Sequence, residues 1–174
     1  QFYFDQWQAL TEGENIAAGH PFEFNIPSNY YICQEGENGA ELTDGWLNMR
    51  ENYKIWFSRK VAAWRGADRV NAWVDLGAAQ PIERVVVRCQ GRPMLPPRKT
   101  EVYASDDGDT WRLVTTAHAG RIDGGEDSYY VPLEGTYVYP MAVDVGVKAR
   151  YLGLRMVLGG TLVIDEVAVM KGAD

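Results

Sequence analysis

The feature that most constrains this chain is a two-residue rhythm. Between residues 71 and 170, apolar and polar side chains alternate in short runs, and the spacing of an amphipathic helix is almost absent. In "NAWVDLG" (71–77), Ala72, Val74 and Leu76 fall on one face and Trp73 and Asp75 on the other. "IERVVVRCQG" (82–91) follows the turn "GAAQP" and sets Val85, Val87 and Cys89 against Arg84, Val86 and Arg88. "TEVYAS" and "TWRLV" read as a pair, "SYYVPL" and "MAVDVGV" as further strands, with Pro132 marking the first of these as an edge. "YLGLRMVL" and "TLVIDEVAVM" end the chain, and Gly159-Gly160 between them is short enough for a hairpin. Runs of β-branched and aromatic residues, separated by Gly, Pro, Asp and Asn clusters, predict an all-β antiparallel sandwich or barrel. Residues 45–70 are less regular and read as a long loop or a short helix around "REN".

The acidic stretch Asp106-Asp107-Gly108-Asp109 poses a choice between a cation loop and a turn. Val102 and Ala104 face one way before it, and Trp111 and Leu113 resume the alternation after it. Asp-Gly favours a hairpin, because glycine accepts positive φ and aspartate bonds its own backbone. An EF-hand loop needs a glutamate at its twelfth position and flanking helices, and the sequence offers neither. The turn is the expectation.

Composition narrows the function. With 24 acidic and 17 basic residues the net charge is -7, and no basic run exists, which argues against a nucleic-acid partner. No stretch approaches the roughly 20 apolar residues needed to span a bilayer. "QFYFDQWQAL" lacks the basic start and apolar core of a signal peptide, which a mature chain would have lost in any case. Two cysteines and two histidines supply no standard zinc site. A Cys33–Cys89 disulfide would suit a secreted protein, and two buried thiols would suit any compartment. The chain also carries 6 Trp and 10 Tyr, side chains suited to half-exposed recognition surfaces.

Several segments in order resemble the galactose-binding-like β-sandwich (jelly roll) of coagulation-factor type C (discoidin) domains and family 32 carbohydrate-binding modules. They are "ENIAAGHPFEF" (14–24), "ELTDGW" (41–46), "WFSRKVAAWRG" with "AWVDLGAAQPIERVVVR" after it, "EVYASDDGDTW" and "ARYLGLRMVLGGTLVIDEVAVM". The resemblance runs from residue 14 to 171, so residues 1–13 read as an N-terminal extension or linker before a β-sandwich domain at 14–174. It implies a structural calcium ion held by side-chain oxygens of Asp44 and Glu166, with backbone carbonyls near Glu41, Trp46 and Glu166. The family often places a further Asp, Thr or Ser after the "DG"; here "WLNMREN" offers only Asn48 and Glu51. Alternation puts Leu162, Ile164 and Glu166 on one face, whereas Val167 and Val169 require a change of face, so a bulge is expected after Asp165.

Sugar rings present a C–H face and a rim of hydroxyls, which call for an aromatic platform and planar polar groups. The resemblance implies that such groups sit on loops at one end of the sandwich. Candidates are Trp56, Trp64, Arg65, Arg92 and Arg98. Trp56 suits platform and core equally, and the "RG" after Trp64 places that ring at the surface. Arg92 and Arg98 flank a proline-rich loop, and their forks suit a carboxylate or sulfate. His20 reads as structural, and Tyr129, Tyr130, Tyr137 and Tyr139 as a second aromatic group over the core.

No nucleophile elbow, P-loop or dinucleotide fingerprint is present, so the reading is not an enzyme. The resemblance implies a non-catalytic carbohydrate-binding module of a secreted polysaccharide-degrading enzyme, partnered with a polysaccharide or oligosaccharide and a covalently linked catalytic domain. The alternatives are an accessory structural or protein-interaction domain of the same fold, and a small hydrolase or lyase.

Overall fold

The computed structural model describes residues 2–33, 38–49, 55, 58, 60–91, 94–120, 128–130 and 138–174. Its strands are β1 (Phe22–Phe24), β2 (Ala62–Trp64), β3 (Arg69–Gln90), β4 (Lys99–Ser105), β5 (Arg112–Gly120), β6 (Ser128–Tyr130), β7 (Val138–Val157) and β8 (Leu162–Lys171). Two short helices, α1 (Phe2–Leu10) and α2 (Asn38–Glu41), and a 3-10 turn at Tyr31–Cys33 complete the described elements.

Hydrogen bonding links the strands in the order β2-β8-β3-β7-β4-β5-β6, with β1 also on β3, and among the described residues only the β5–β6 pairing is parallel. The long strands make two layers out of this one path. β3 pairs with β7 first through 69–75 against 151–157, then through 80–90 against 138–149. Register shifts at Asp75/Gln80 and Ile82/Arg84 bend both strands from one layer into the other. The first layer therefore holds β1, residues 69–75, residues 151–157, β4, β5 and β6. The second holds β2, β8 and the remaining halves of β3 and β7.

The inward faces meet in one core. Val70, Ala72 and Val74 lie with Val85, Val87 and Cys89, and Leu152, Leu154 and Met156 lie with Leu162, Ile164, Val167 and Val169. Period-two alternation dictates this, since every second side chain of a strand points the same way. "GAAQP", expected as a turn between separate strands, is instead the bend inside β3, and the runs at 141–147 and 151–157 are likewise one strand. Asp75 secures that bend, accepting from the Gly77 N–H at 2.8 Å and from Arg150 Nε and Nη2 at 2.8 and 2.9 Å. His20 packs beside Gly77, and its carbonyl accepts from Thr43 Oγ1.

The segment read as an extension or linker folds onto the sandwich. Trp7 of α1 is 8% exposed and clusters with Val86, Ala168 and Met170, outward-facing residues of the second layer. Cys33 and Cys89 are both buried and lie in different clusters with no disulfide between them, which answers the disulfide question in favour of separate thiols. Burial raises both thiol pKa values, that of Cys33 to about 12.

The acidic connection between β4 and β5 is a turn. Ser105 Oγ accepts from the N–H groups of Asp107 and Gly108, and Asp107 Oδ1 accepts from those of Asp109 and Thr110 at 2.8 Å. These backbone donors hold the Asp107 carboxyl down at about 2. Gly108 has φ +83, and a Cβ there would sit 3.2 Å from the Tyr151 ring. Gly108→Ala is expected to lower stability by about 1–2 kcal/mol from the left-handed backbone alone. Urea midpoints measure it, and an unchanged midpoint would mean that the turn relaxes freely.

Candidate functional site

One end of the sandwich gathers the loops. Arg69, Val157 and Lys99 lie side by side in register, so the segments entering and leaving them converge. Backbone bonds tie these segments together: Leu158 N–H to the Asp68 carbonyl (2.9 Å), Arg98 N–H to Val157 (2.8 Å) and Leu95 N–H to Thr161 (3.1 Å). A further arm runs along the free edge of β2. Ser28 Oγ donates to the Ala63 carbonyl and accepts from its N–H, while the N–H groups of Asn29 and Tyr30 reach the same carbonyl. The Asn29 side chain then brackets Arg65, accepting from its N–H at 2.7 Å and donating to its carbonyl at 3.1 Å.

This arm presents two rings. Tyr30 and Tyr31 lie with centroids 5.1 Å apart at 53°, and Tyr31 is 72% exposed. Burial raises the pKa of the Tyr30 hydroxyl, Tyr31 and Cys33 add to the shift, and the positive charge of Arg65 opposes it. Arg65 is exposed at this end. Arg98 is also exposed, with its stem over Gly159, where a Cβ would meet Arg98 Cγ at 2.8 Å. The two arginines thus share the loop end.

Trp64 does not join them as a surface ring. It is fully buried, stacked edge-on against Phe24 at 4.9 Å, and its Nε1–H donates to the Ile26 carbonyl at 2.9 Å. The "RG" that suggested exposure begins just past the end of β2, and the inward face of Trp64 is set by its pairing with Leu162 of β8. Trp56 and Arg92 lie outside the described residues. So do Tyr137 and the side chains of Tyr129 and Tyr130, and Tyr139 packs half-buried against the core. Sequence reasoning passed over Tyr30 and Tyr31, although two adjacent tyrosines in "PSNYYIC" are a legible signal of a decorated loop.

A second polar locus lies along β8. Arg88 pairs with Glu166 but Cys89 with Ile164, so Asp165 is the extra residue of a bulge. The expected change of face is there. Asp165 turns to Arg88, whose Nη1 donates to Asp165 Oδ2, and the Asn48 N–H donates to the same oxygen at 2.9 Å. Burial lifts the Asp165 carboxyl to about 6 against the pull of Arg88.

Glu166 is 2% exposed, and neither carboxylate oxygen closes a hydrogen bond among the described residues. Burial raises it to about 9, the nearby negative charges of Asp44 and Asp165 add to the shift, and the backbone N–H groups of Gly45 and Val167 oppose it weakly. Asp44 stands in a turn, accepting from the Trp46 N–H at 2.8 Å. The Leu42 carbonyl accepts from the Val167 N–H at 2.7 Å, which holds this loop against β8. A buried carboxylate short of donors, with the negative charge of a second carboxylate near it, fits a hard cation with oxygen ligands. Among the described residues no three His, Cys, Asp or Glu side chains form a metal cluster, so main-chain oxygens must supply most of such a shell.

Comparison with known proteins places the fold. No protein-family model matches the chain. No curated protein sequence matches it either. Solved structures do. The lectin domain of lectinolysin, complexed with Lewis B antigen, is 19% identical with a TM-score of 0.58, covering 94% of this chain and 100% of that one. Chitosan-binding module 1 of a chitosanase/glucanase from Paenibacillus sp. IK-5, in a selenomethionine-labelled point mutant, is 16% identical (TM-score 0.59; 92% and 100% covered). The family 32 carbohydrate-binding module CpGH89CBM32-5 from Clostridium perfringens, in complex with GalNAc-β-1,3-galactose, is 15% identical (TM-score 0.55; 87% and 95%). The chain therefore has the galactose-binding-like β-sandwich fold that these sugar-binding modules share.

Proposed function

We propose that this chain is a non-catalytic glycan-binding module whose ligand rests on the loop end between Tyr30, Tyr31, Arg65 and Arg98. The carrying observation is a tyrosine pair, one ring of it well exposed, beside an exposed arginine on an arm that lies outside the main core. The rings suit the apolar face of a pyranose, and the guanidinium forks suit a carboxylate or sulfate on it. The structural neighbours support the reading, since their ligands are Lewis B antigen and GalNAc-β-1,3-galactose. Such a module serves as part of a secreted polysaccharide-degrading enzyme, raising the local concentration of a linked catalytic domain on its polymer. A bound calcium ion, held by Asp44, Glu166 and carbonyls of the 41–46 loop, stiffens the edge of β8.

Affinity gels and a glycan array with neutral and acidic polysaccharides test the proposal. Hydrogen bonds to charged groups contribute about 1.5–3 kcal/mol, so Arg65→Ala and Arg98→Ala should each weaken an acidic ligand about ten-fold or more. Tyr31→Ala should weaken neutral and acidic ligands alike. Retention of full affinity in all three variants would move the site elsewhere. Absence of any glycan ligand would favour the accessory protein-interaction domain, and reducing ends released from a bound glycan would favour an enzyme.

A further inference from the structure

The outer face of the first layer carries a groove that shares no residue with the loop end. Its volume is about 370 Å³, and it is lined by Asn71, Trp73, Tyr103, Trp111, Gly153 and Arg155, among others. Cross-strand register builds it. Trp73 of β3, Gly153 of β7 and Tyr103 of β4 stand in one row, all pointing away from the core, and Asn71 and Arg155 stand in the next. A glycine between two aromatic neighbours leaves a notch in the sheet. Trp111, arriving from the acidic turn, overhangs it so closely that a Cβ on Gly153 would meet the indole at 3.0 Å.

The rings are held in orientation while their faces stay half-exposed. Trp73 Nε1–H donates to Glu23 Oε2 at 2.8 Å, Trp111 Nε1–H to the Gly108 carbonyl at 3.2 Å, and the Tyr103 hydroxyl to Glu101 Oε2 at 3.2 Å. Fixed indoles contribute contact area at small entropic cost. Arg155 is the one charged residue among the described residues that line the groove, its guanidinium 5.3 Å from the Tyr103 centroid. No carboxylate among the described residues forms an ion pair with it, and its row neighbour Glu101 is engaged by the Tyr103 hydroxyl and lies 3.8 Å from Lys99 Nζ. On a domain of net charge -7, a guanidinium without an ion-pair partner among the described residues, set over the Tyr103 ring in an aromatic-lined groove, is complementary to an oxyanion on a flat, C–H-faced ring.

We propose that this groove is a second ligand site, taking one pyranose residue that bears a carboxylate or sulfate, with Arg155 forking the oxyanion and Trp73 and Trp111 flanking the ring. Having no residue in common with the loop end, either site stands without the other. The size agrees with a sugar-sized ligand, being at the lower end of the about 300–1,000 Å³ typical of small-molecule pockets.

The test uses the full chain, with the indole N–H resonances of Trp73 and Trp111 monitored by NMR. The probes are methyl β-glucuronide, methyl β-glucoside and galactose 6-sulfate. Glucuronide and the sulfated sugar should move both resonances, with at least ten-fold tighter binding than glucoside. Arg155→Gln should erase that preference, and Gly153→Ala, which displaces the Trp111 ring, should weaken all three probes. Circular dichroism confirms that each variant is folded, and Arg65→Ala separates the two sites because it acts only at the loop end. The proposal is overturned if the indoles stay still with both acidic probes, if glucoside binds as tightly as glucuronide, or if Arg155→Gln keeps the preference. It is equally overturned if Arg65→Ala abolishes the shifts, which would assign them to loop-end binding.

Discussion

Replacing Arg88 with leucine is expected to destabilise the fold by about 3–5 kcal/mol, because it strands a carboxylate in the interior. Arg88 and Asp165 are both fully buried. With the arginine gone, the Asn48 N–H is the donor left to Asp165 Oδ2, and Oδ1 already lacks a partner among the described residues. For a domain of this size the loss corresponds to a melting temperature lower by roughly 10 °C. The sign of the pH dependence comes from burial. In the intact protein Asp165 sits at about 6, above its ordinary 3.8, so the folded state binds a proton that the unfolded chain releases. Stability is then lost as pH rises from about 3.8 through about 6. Removing the favourable charge of Arg88 lifts the carboxyl further and moves that window upward. The Arg88→Leu deficit should therefore be larger at pH 8 than at pH 5. The double variant Arg88→Leu/Asp165→Leu should recover much of the loss, since hydrophobic replacement of a buried pair is often neutral, though the Asn48 N–H would then lack its acceptor. Urea melts of Arg88→Leu, Asp165→Leu and the double variant at both pH values decide the matter. A double variant as unstable as the sum of the singles would show that the pair matters for packing and not for charge.

Much of this architecture is written in local pattern. The inward set Ala72, Val74, Leu76 is buried as alternation requires, and the acidic turn folds on its own backbone donors. The bulge at Asp165 is legible because two inward apolar residues, Ile164 and Val167, stand an odd number of positions apart. Longer-range features are not. "GAAQP" looks like any turn, and only the pairing of residues on both sides of it with the same partner strand makes it a bend in β3. Trp64 reads as exposed because the two residues after it suit a loop, yet a strand's inward face is set by its neighbouring strand and not by the next residues along the chain. Trp7 lies in a stretch with no evident partner, since the outward-facing Val86, Ala168 and Met170 it covers are distant in sequence. The groove between Trp73, Gly153 and Tyr103 depends on register across three strands, which no local window contains. The proposed loop-end site is half-visible: the sequence singles out Arg65 and Arg98, whereas the tyrosine pair needs the arm along β2 to bring it beside Arg65.

Millimolar calcium is expected to raise the melting temperature, and more so at pH 8 than at pH 5.5. The reason is the buried carboxylate of Glu166. Without metal, the folded state holds this group at about 9, well above its ordinary 4.5, so the folded protein binds a proton that the unfolded chain gives up. Metal-free stability should therefore decline as pH climbs from about 4.5 through about 9. A cation with oxygen ligands removes the penalty by neutralising Glu166 and Asp44 together, and it must displace the proton to do so, which is why its affinity rises with pH. Calcium at a hundred to a thousand times its dissociation constant stabilises by about 3–4 kcal/mol, or roughly 5–15 °C here. Chelation should reverse the gain. Glu166→Gln separates metal from mere burial: at pH 8 without calcium it should be more stable than the parent, because a neutral amide replaces the uncompensated carboxylate, and it should no longer respond to calcium. Asp44→Asn, which leaves Glu166 in place, should weaken the calcium response while lowering the Glu166 pKa. If calcium leaves the parent's melting unchanged at pH 8, and Glu166→Gln gains nothing in its absence, then Glu166 finds its partner within the protein and the loop at 41–46 is held by backbone bonds such as Val167 N–H to Leu42 alone.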